Sequence, residues 1–210
     1  WYQGESNPGE GAIYYWKMKA MINGWRALWG VEFPFYYVQL ANEGKRNEDP
    51  ANDGAYRYVP VRDAQRRVMT LPNTGMVVAI DLGEDTSGHP RNKRDVGDRL
   101  ALWARAKVYG EKVPVSGPGY RDCRMDGDRM ILSFDYAESG LIVGDKNGLE
   151  PVYEVKDGAL GHFAIAGTDG TWYWGDAKIV GETVEVRSEK VPVPVKVRYA
   201  YSMNPKGSKL

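Results

Sequence analysis

The sequence predicts an α/β fold: a parallel sheet with flanking helices over residues 1–114, followed by an antiparallel β region over residues 115–210. Three observations lead there. Apolar residues recur at helical spacing in three segments of the first half. Unalternating apolar runs of strand length, suited to strands covered on both faces, lie between those segments. After Pro114 the texture changes to short runs separated by Asp-Gly and Asn-Gly turns, the pattern of antiparallel sheet.

The opening Trp1-Tyr2 runs straight into Gln3-Gly4-Glu5-Ser6-Asn7-Pro8, so it reads as the end of a strand, its beginning missing, followed by turn chemistry. Residues 12–29 carry Ile13, Met18, Met21, Ile22, Trp25, Leu28 and Trp29 on a helical repeat, with Gly30 as the stop. Residues 33–40 form the first buried strand and residues 76–82, Met-Val-Val-Ala-Ile-Asp-Leu, the second. Helical patterns at 61–71 and at 93–109, the latter with Val96, Leu100, Leu102, Trp103 and Ala106 before Gly110, complete an alternation of strand and helix. Such alternation implies right-handed crossovers and a ligand site at the carboxyl ends of the strands. The domain boundary is placed at 115–120, and strands are expected at 129–134, 141–143, 151–155, 162–166, 177–180, 183–187 and 195–201 as a sandwich or half of one. The polar stretch 42–56 is expected to be a long surface loop.

Composition excludes some classes of partner. Lys plus Arg and Asp plus Glu number 28 each, so no net field draws the chain to nucleic acid or an anionic membrane. No apolar run is long enough to span a bilayer, and Trp1-Tyr2-Gln3-Gly4 has neither the basic start nor the apolar run of a signal peptide. Cys123 is the single cysteine, so no intrachain disulfide forms. The 7 Trp and 14 Tyr suit sugar stacking, yet the same rings fill cores, so they favour carbohydrate only slightly.

Two strand-end loops hold the candidate site. Gln3, Gly4, Glu5 and Asn7 form the first, where glycine permits close backbone approach and the polar side chains can face a ligand. The second is Gly83-Glu84-Asp85-Thr86-Ser87-Gly88-His89-Pro90. His89, one of 2 histidines, stands between a strand and a helix, a position where imidazole can take a proton from a hydroxyl near neutral pH. Glu84 and Asp85 are at hand to orient it, or to serve the positive end of the following helix. His162 lies in the β region and reads as structural. No spacing of a known zinc or iron type occurs, so a metal site is not expected.

At these loops the sequence resembles a family. Trp1-Tyr2-Gln3-Gly4-Glu5-Ser6-Asn7 is similar to a block of the sialate O-acetylesterases and related SGNH carbohydrate esterases. Phe33-Pro34-Phe35-Tyr36, Pro72-Asn73-Thr74-Gly75-Met76, His89-Pro90-Arg91-Asn92-Lys93 and Asp95-Val96-Gly97-Asp98-Arg99-Leu100 look like later stations in the same order. Ser116-Gly117-Pro118, Ala164-Ile165-Ala166-Gly167 and Val197-Arg198-Tyr199-Ala200 fit its C-terminal portion.

The resemblance implies a partial SGNH-type, flavodoxin-like sheet and release of acetate from O-acetylated sugars without a cofactor. His89 would be the general base, and Gln3, Gly4, Glu5 and Asn7 would line the oxyanion hole and acyl pocket. That family's nucleophile is a serine in a Gly-Gln-Ser-Asn-type block, which these 210 residues lack. The resemblance therefore implies an upstream segment of the same protein carrying the serine, and an inactive isolated chain. The family's acid two positions before the histidine is replaced here by Ser87, so either Asp85 reaches the histidine through a longer loop as the third member or a backbone carbonyl orients the imidazole. An exported or lysosomal location is implied in the same way. The alternative is a carbohydrate-binding or structural fragment without turnover.

Overall fold

A computed structural model describes residues 1–51 and 57–205, which divide into two compact units. The first comprises Trp1–Arg46, Gly54–Val115 and Ser202–Asn204; the second comprises Asn47–Asp53, Ser116–Tyr201 and Pro205–Leu210. Of the expected surface loop, residues 52–56 lie outside the described residues.

The first unit is mixed α/β. Helix α1 (Ala12–Trp29) buries Tyr14, Met18, Ile22 and Arg26 and ends at Gly30, whose φ of 68° is the left-handed cap a glycine supplies without a Cβ penalty. Strand β1 (Phe35–Val38) pairs in parallel with β2 (Thr74–Val77), in the register Phe35 to Thr74 through Val38 to Val77. Helix α2 (Val59–Val68), with Pro60 in its first turn, and α3 (Lys93–Lys107) follow the respective strands. Asn92 caps α3 by accepting from the Asp95 amide at 3.1 Å.

The parallel sheet is narrower than the alternation suggested, with two strands among the described residues. Trp1 adds one ladder step on the other side of β1: its terminal amine donates to the Tyr36 carbonyl at 2.9 Å and its own carbonyl accepts from Val38 at 2.9 Å, the slanted pattern of a parallel pair. The second strand ends at Val77 instead of continuing to 82. Arg99 of α3 takes the Val78 carbonyl at 2.7 Å and grips the Asp81 carboxylate with two bonds of 2.7 Å, while Leu82 turns back to the Ala79 carbonyl. The apolar residues beyond Val77 are buried all the same: Ala79 and Leu82 pack with Val38, Val96 and Trp103. Helix α2 stops before residue 71 because Thr70 and Thr74 turn their hydroxyls onto the carbonyls of Arg67 and Leu71.

The second unit is antiparallel throughout its named strands. A four-stranded sheet runs β3 (Gly119–Asp126), β4 (Arg129–Asp135), β10 (Thr183–Arg187), β9 (Asp176–Val180), and a three-stranded sheet runs β11 (Lys196–Tyr199), β7 (Phe163–Ala166), β8 (Trp172–Trp174). Strands β5 (Gly144–Asp145) and β6 (Tyr153–Glu154) form a small ribbon. Met130, Leu132, Phe134, Val184 and Val186 of one sheet and Phe163 and Ile165 of the other share one core. Three strands, β3, β5 and β8, escape sequence reading; all lie at sheet edges, where little alternation is demanded. Conversely, residues 141–143 are not a strand, though Leu141 and Val143 pack against the core from a loop. Among the described residues no helix is long and apolar enough to cross a membrane.

Strand β2 and helix α3 meet at Gly75. A Cβ there would lie 2.5 Å from ring carbons of Trp103 and 2.9 Å from Tyr36 Cδ1, and the Trp103 indole is further fixed by donating to the Met76 carbonyl at 3.0 Å. Gly75→Ala should therefore destabilise the first unit by about 1–3 kcal/mol, read as a lower denaturant midpoint with an unchanged slope.

Candidate functional site

The residues expected to carry chemistry all belong to the first unit and follow strand ends. The turn at residues 3–7 is closed by the Asn7 amide donating to the Gly4 carbonyl at 2.9 Å. Gly4 has a φ of 145°, and a Cβ on it would stand 3.2 Å from both the Tyr14 hydroxyl and Val61 Cγ1 and 3.3 Å from Leu40 Cδ1. Glycine is required there for conformation and for space. The Gln3 side chain turns inward: its Nε2 donates to Asn7 Oδ1 at 2.6 Å, and its Oε1 accepts from the Tyr14 hydroxyl at 2.9 Å. Glu5 is half-buried and Ser6 exposed.

Gln65, fully buried on α2, ties this turn to β1. Its Oε1 accepts from the Leu40 amide at 3.0 Å, and its Nε2 donates to the carbonyls of Gln3 at 3.2 Å and Val38 at 3.3 Å. Beside it Arg62, also buried, donates to four carbonyls: Leu40 at 2.8 Å, Ala41 at 2.6 Å, Ser202 at 2.6 Å and Met203 at 3.0 Å. Burial pulls its guanidinium down to about 10.

The segment after β2 is held to the segment after β1. Gly83 donates to Asn42 Oδ1 at 2.7 Å and lies so close that a Cβ would fall 1.9 Å from the Asn42 carbonyl oxygen. Glu43 and Glu84 form a parallel bridge. Glu43 Oε2 accepts from the Tyr58 hydroxyl at 2.5 Å, and both atoms sit against Gly88, 3.1 and 3.0 Å from where its Cβ would be. Burial, first, and the Glu43 carboxylate, next, push the Tyr58 hydroxyl well above its ordinary range, and Glu5 adds to the effect. Tyr58, Glu43 and Gly88 thus form one cluster that joins the segments after β1 and β2. Tyr2 is similarly pushed up to about 12, by burial and then by Glu5.

His89 is exposed beyond this cluster. Its backbone amide donates to Ser87 Oγ at 3.1 Å, its carbonyl accepts from the same hydroxyl at 3.4 Å, and its imidazole makes no hydrogen bond, ion pair or ring contact among the described residues. The expected link between Asp85 and the imidazole is not formed. A turn from Glu84 to Ser87 intervenes, and the Asp85 carboxylate accepts from Asn204 Nδ2 at 2.9 Å. Glu84 accepts from the Arg91 amide at 2.8 Å. His162 lies in the second unit, where its ring stands edge-on to Trp174 at 5.7 Å. No group of three or more metal-ligating side chains occurs among the described residues.

Sequence reasoning missed Asn42, Glu43, Tyr58, Gln65 and Asn204. Asn42-Glu43-Gly44 follows a buried strand, and that position at a carboxyl strand end was the available signal. Asn204, distant in sequence, gave none.

No family model matches the chain. It is 33% identical to the sialate O-acetylesterase of Mus musculus over 151 residues and 36% identical to that of Homo sapiens over 158 residues, matches covering 65% of this chain. The chain spans 28% and 29% of those relatives' lengths. A crystal structure of a carbohydrate acetylesterase from Xanthomonas citri superposes over 100% of this chain and 46% of its own, with a TM-score of 0.82 and 37% identity. The chain is thus similar to sialate O-acetylesterases and to a carbohydrate acetylesterase.

The Gln65 amide offers a test of how the two loops are held. Gln65→Leu leaves the Leu40 amide without its acceptor and takes one of two donors from the Gln3 carbonyl, which keeps the Tyr14 hydroxyl at 2.7 Å, so we expect a loss of about 1–3 kcal/mol. Hydrogen exchange should accelerate at residues 3–7 before it does in α1.

Proposed function

We propose that this chain is part of a carbohydrate O-acetylesterase of the SGNH type, acting on O-acetylated sugars. The observation that carries the reading is the likeness to the Xanthomonas citri carbohydrate acetylesterase along the whole chain, at an identity above one third. The position of His89 on the loop after β2, and the packing of that loop at Gly88 against Glu43 and Tyr58, support it.

The chemistry is acyl transfer. A serine on a segment outside these 210 residues attacks the acetyl carbonyl, His89 accepts its proton, and the sugar hydroxyl leaves with that proton. Water, deprotonated by His89, then releases acetate. Support for a serine elsewhere is the absence of a Gly-Gln-Ser-Asn-type block here, together with relatives more than three times as long as the matched share. The oxyanion donors are assigned to backbone N–H groups of the 3–5 turn, Gly4 first, because Gln3 Nε2 is engaged with Asn7. Glu5 and Asn7 border the acyl pocket. Asp85 contributes through the loop that carries His89. An exported or lysosomal setting belongs to the same proposal.

In a protein that joins this chain to the serine-bearing segment, His89→Ala should lower acetate release roughly 10³-fold or more, since only oxyanion and binding contributions remain. His162→Ala should leave turnover within about twofold. Equal losses in two folded variants would contradict the assignment of His89.

A further inference from the structure

Resting on the esterase reading, we infer that Asn204 is a positioning residue for His89, and that Asp85 serves the site as the anchor Asn204 holds rather than as a partner of the imidazole. Asn204 is fully buried and, with Ser202 and Met203, belongs to the first unit although the intervening residues 116–201 belong to the second. Its amide is used at both ends. Nδ2 donates to the Gly44 carbonyl at 2.7 Å and to Asp85 Oδ1 at 2.9 Å, and Oδ1 accepts from Asn42 Nδ2 at 2.9 Å.

Those three bonds close a circuit around the loop that carries His89. Asn42, held by Asn204, accepts from Gly83 at 2.7 Å, at the start of that loop. Asp85 is gripped through its carboxylate by Asn204 and through its carbonyl by the Gly44 amide at 3.1 Å. The far end rests at Gly88 on Glu43 and Tyr58. Strap 202–204 is itself fixed, since Arg62 donates to the carbonyls of Ser202 and Met203, and Glu43 donates its amide to Met203 at 3.3 Å. The imidazole has no hydrogen-bonding partner among the described residues, so its placement depends on the backbone that bears it. An amide is the group this place needs: a carboxylate could not donate to Asp85 and Gly44, and an ammonium could not accept from Asn42.

An anchoring Asp85 and an imidazole-orienting Asp85 differ in what a conservative substitution does. In the serine-bearing protein, Asp85→Asn keeps an oxygen to accept from Asn204, so kcat should fall no more than about threefold, whereas loss of a triad acid costs about 10⁴ in a well-studied enzyme. Asp85→Ala and Asn204→Ala should each lower kcat about 10- to 100-fold with KM within about twofold, as expected when a reacting group is misplaced. Combined, they should cost no more than either alone, because they break one link. If Asn204→Ala does not fold, Asn204→Asp takes its place, since it keeps the shape and the Asn42 bond and loses both donations. A loss of several thousandfold for Asp85→Asn, additive losses in the double variant, or full activity without Asn204 would each overturn the inference. His89→Ala separates the two levels: if that variant stays active the esterase reading fails, and if it is dead while the Asn204 variants are normal only the positioning role fails.

Discussion

Arg62 is the constraint on which the rest of the first unit depends. Its guanidinium is buried and donates to the carbonyls of Leu40, Ala41, Ser202 and Met203. A strand that leaves its sheet inside the protein carries backbone groups that must find partners away from water. Here a single forked side chain collects them from two distant segments. The cost is a cation that meets no carboxylate among the described residues, and burial draws its guanidinium down. The result is that the loop after β1 and the strap 202–204 are fixed together, and both Asn42 and Asn204 acquire defined positions beside the loop that carries His89.

Much of the fold was legible because it rests on local periodicity. The helix at 12–29 and the one starting at Lys93 are written in apolar residues repeated at helical spacing, and the structure starts both where the sequence indicated. The buried runs at 33–40 and 76–82 were readable as buried, yet their extent as strands was not. Burial of Ala79 and Leu82 is achieved by packing on α3, while Arg99 takes the Val78 carbonyl and grips Asp81 as the segment leaves the ladder. Periodicity reports what is buried; ladder ends are set by hydrogen-bond partners far off in sequence. The edge strand β3, with the residues Gly-Tyr-Arg-Asp-Cys-Arg-Met-Asp, illustrates the reverse case, pairing along its length with little apolar demand.

The candidate site was legible in part. His89 and the residue 3–7 turn were singled out because polar loops after buried strands are where α/β sheets place ligands. What surrounds them could not. Tyr58 and Glu43 meet at 2.5 Å across 15 positions, and Asn204 reaches Asp85 across 119. Such pairs leave no local trace, since each member taken singly is an ordinary polar residue. Asp85 shows the same limit: proximity to His89 in sequence suggested a bond to the imidazole, and the turn between Glu84 and Ser87 sends its carboxylate to Asn204 instead.

Under the proposed function, this chain supplies the base and the anion-binding turn of an acyl-transfer site whose nucleophile lies elsewhere. The most direct measurement is covalent labelling of the serine-bearing protein with an organophosphonate ester, followed by peptide mapping. The label is expected on a serine outside these 210 residues, with labelling slowed by His89→Ala. Label recovered on Ser6, with hydrolysis lost in step, would contradict it.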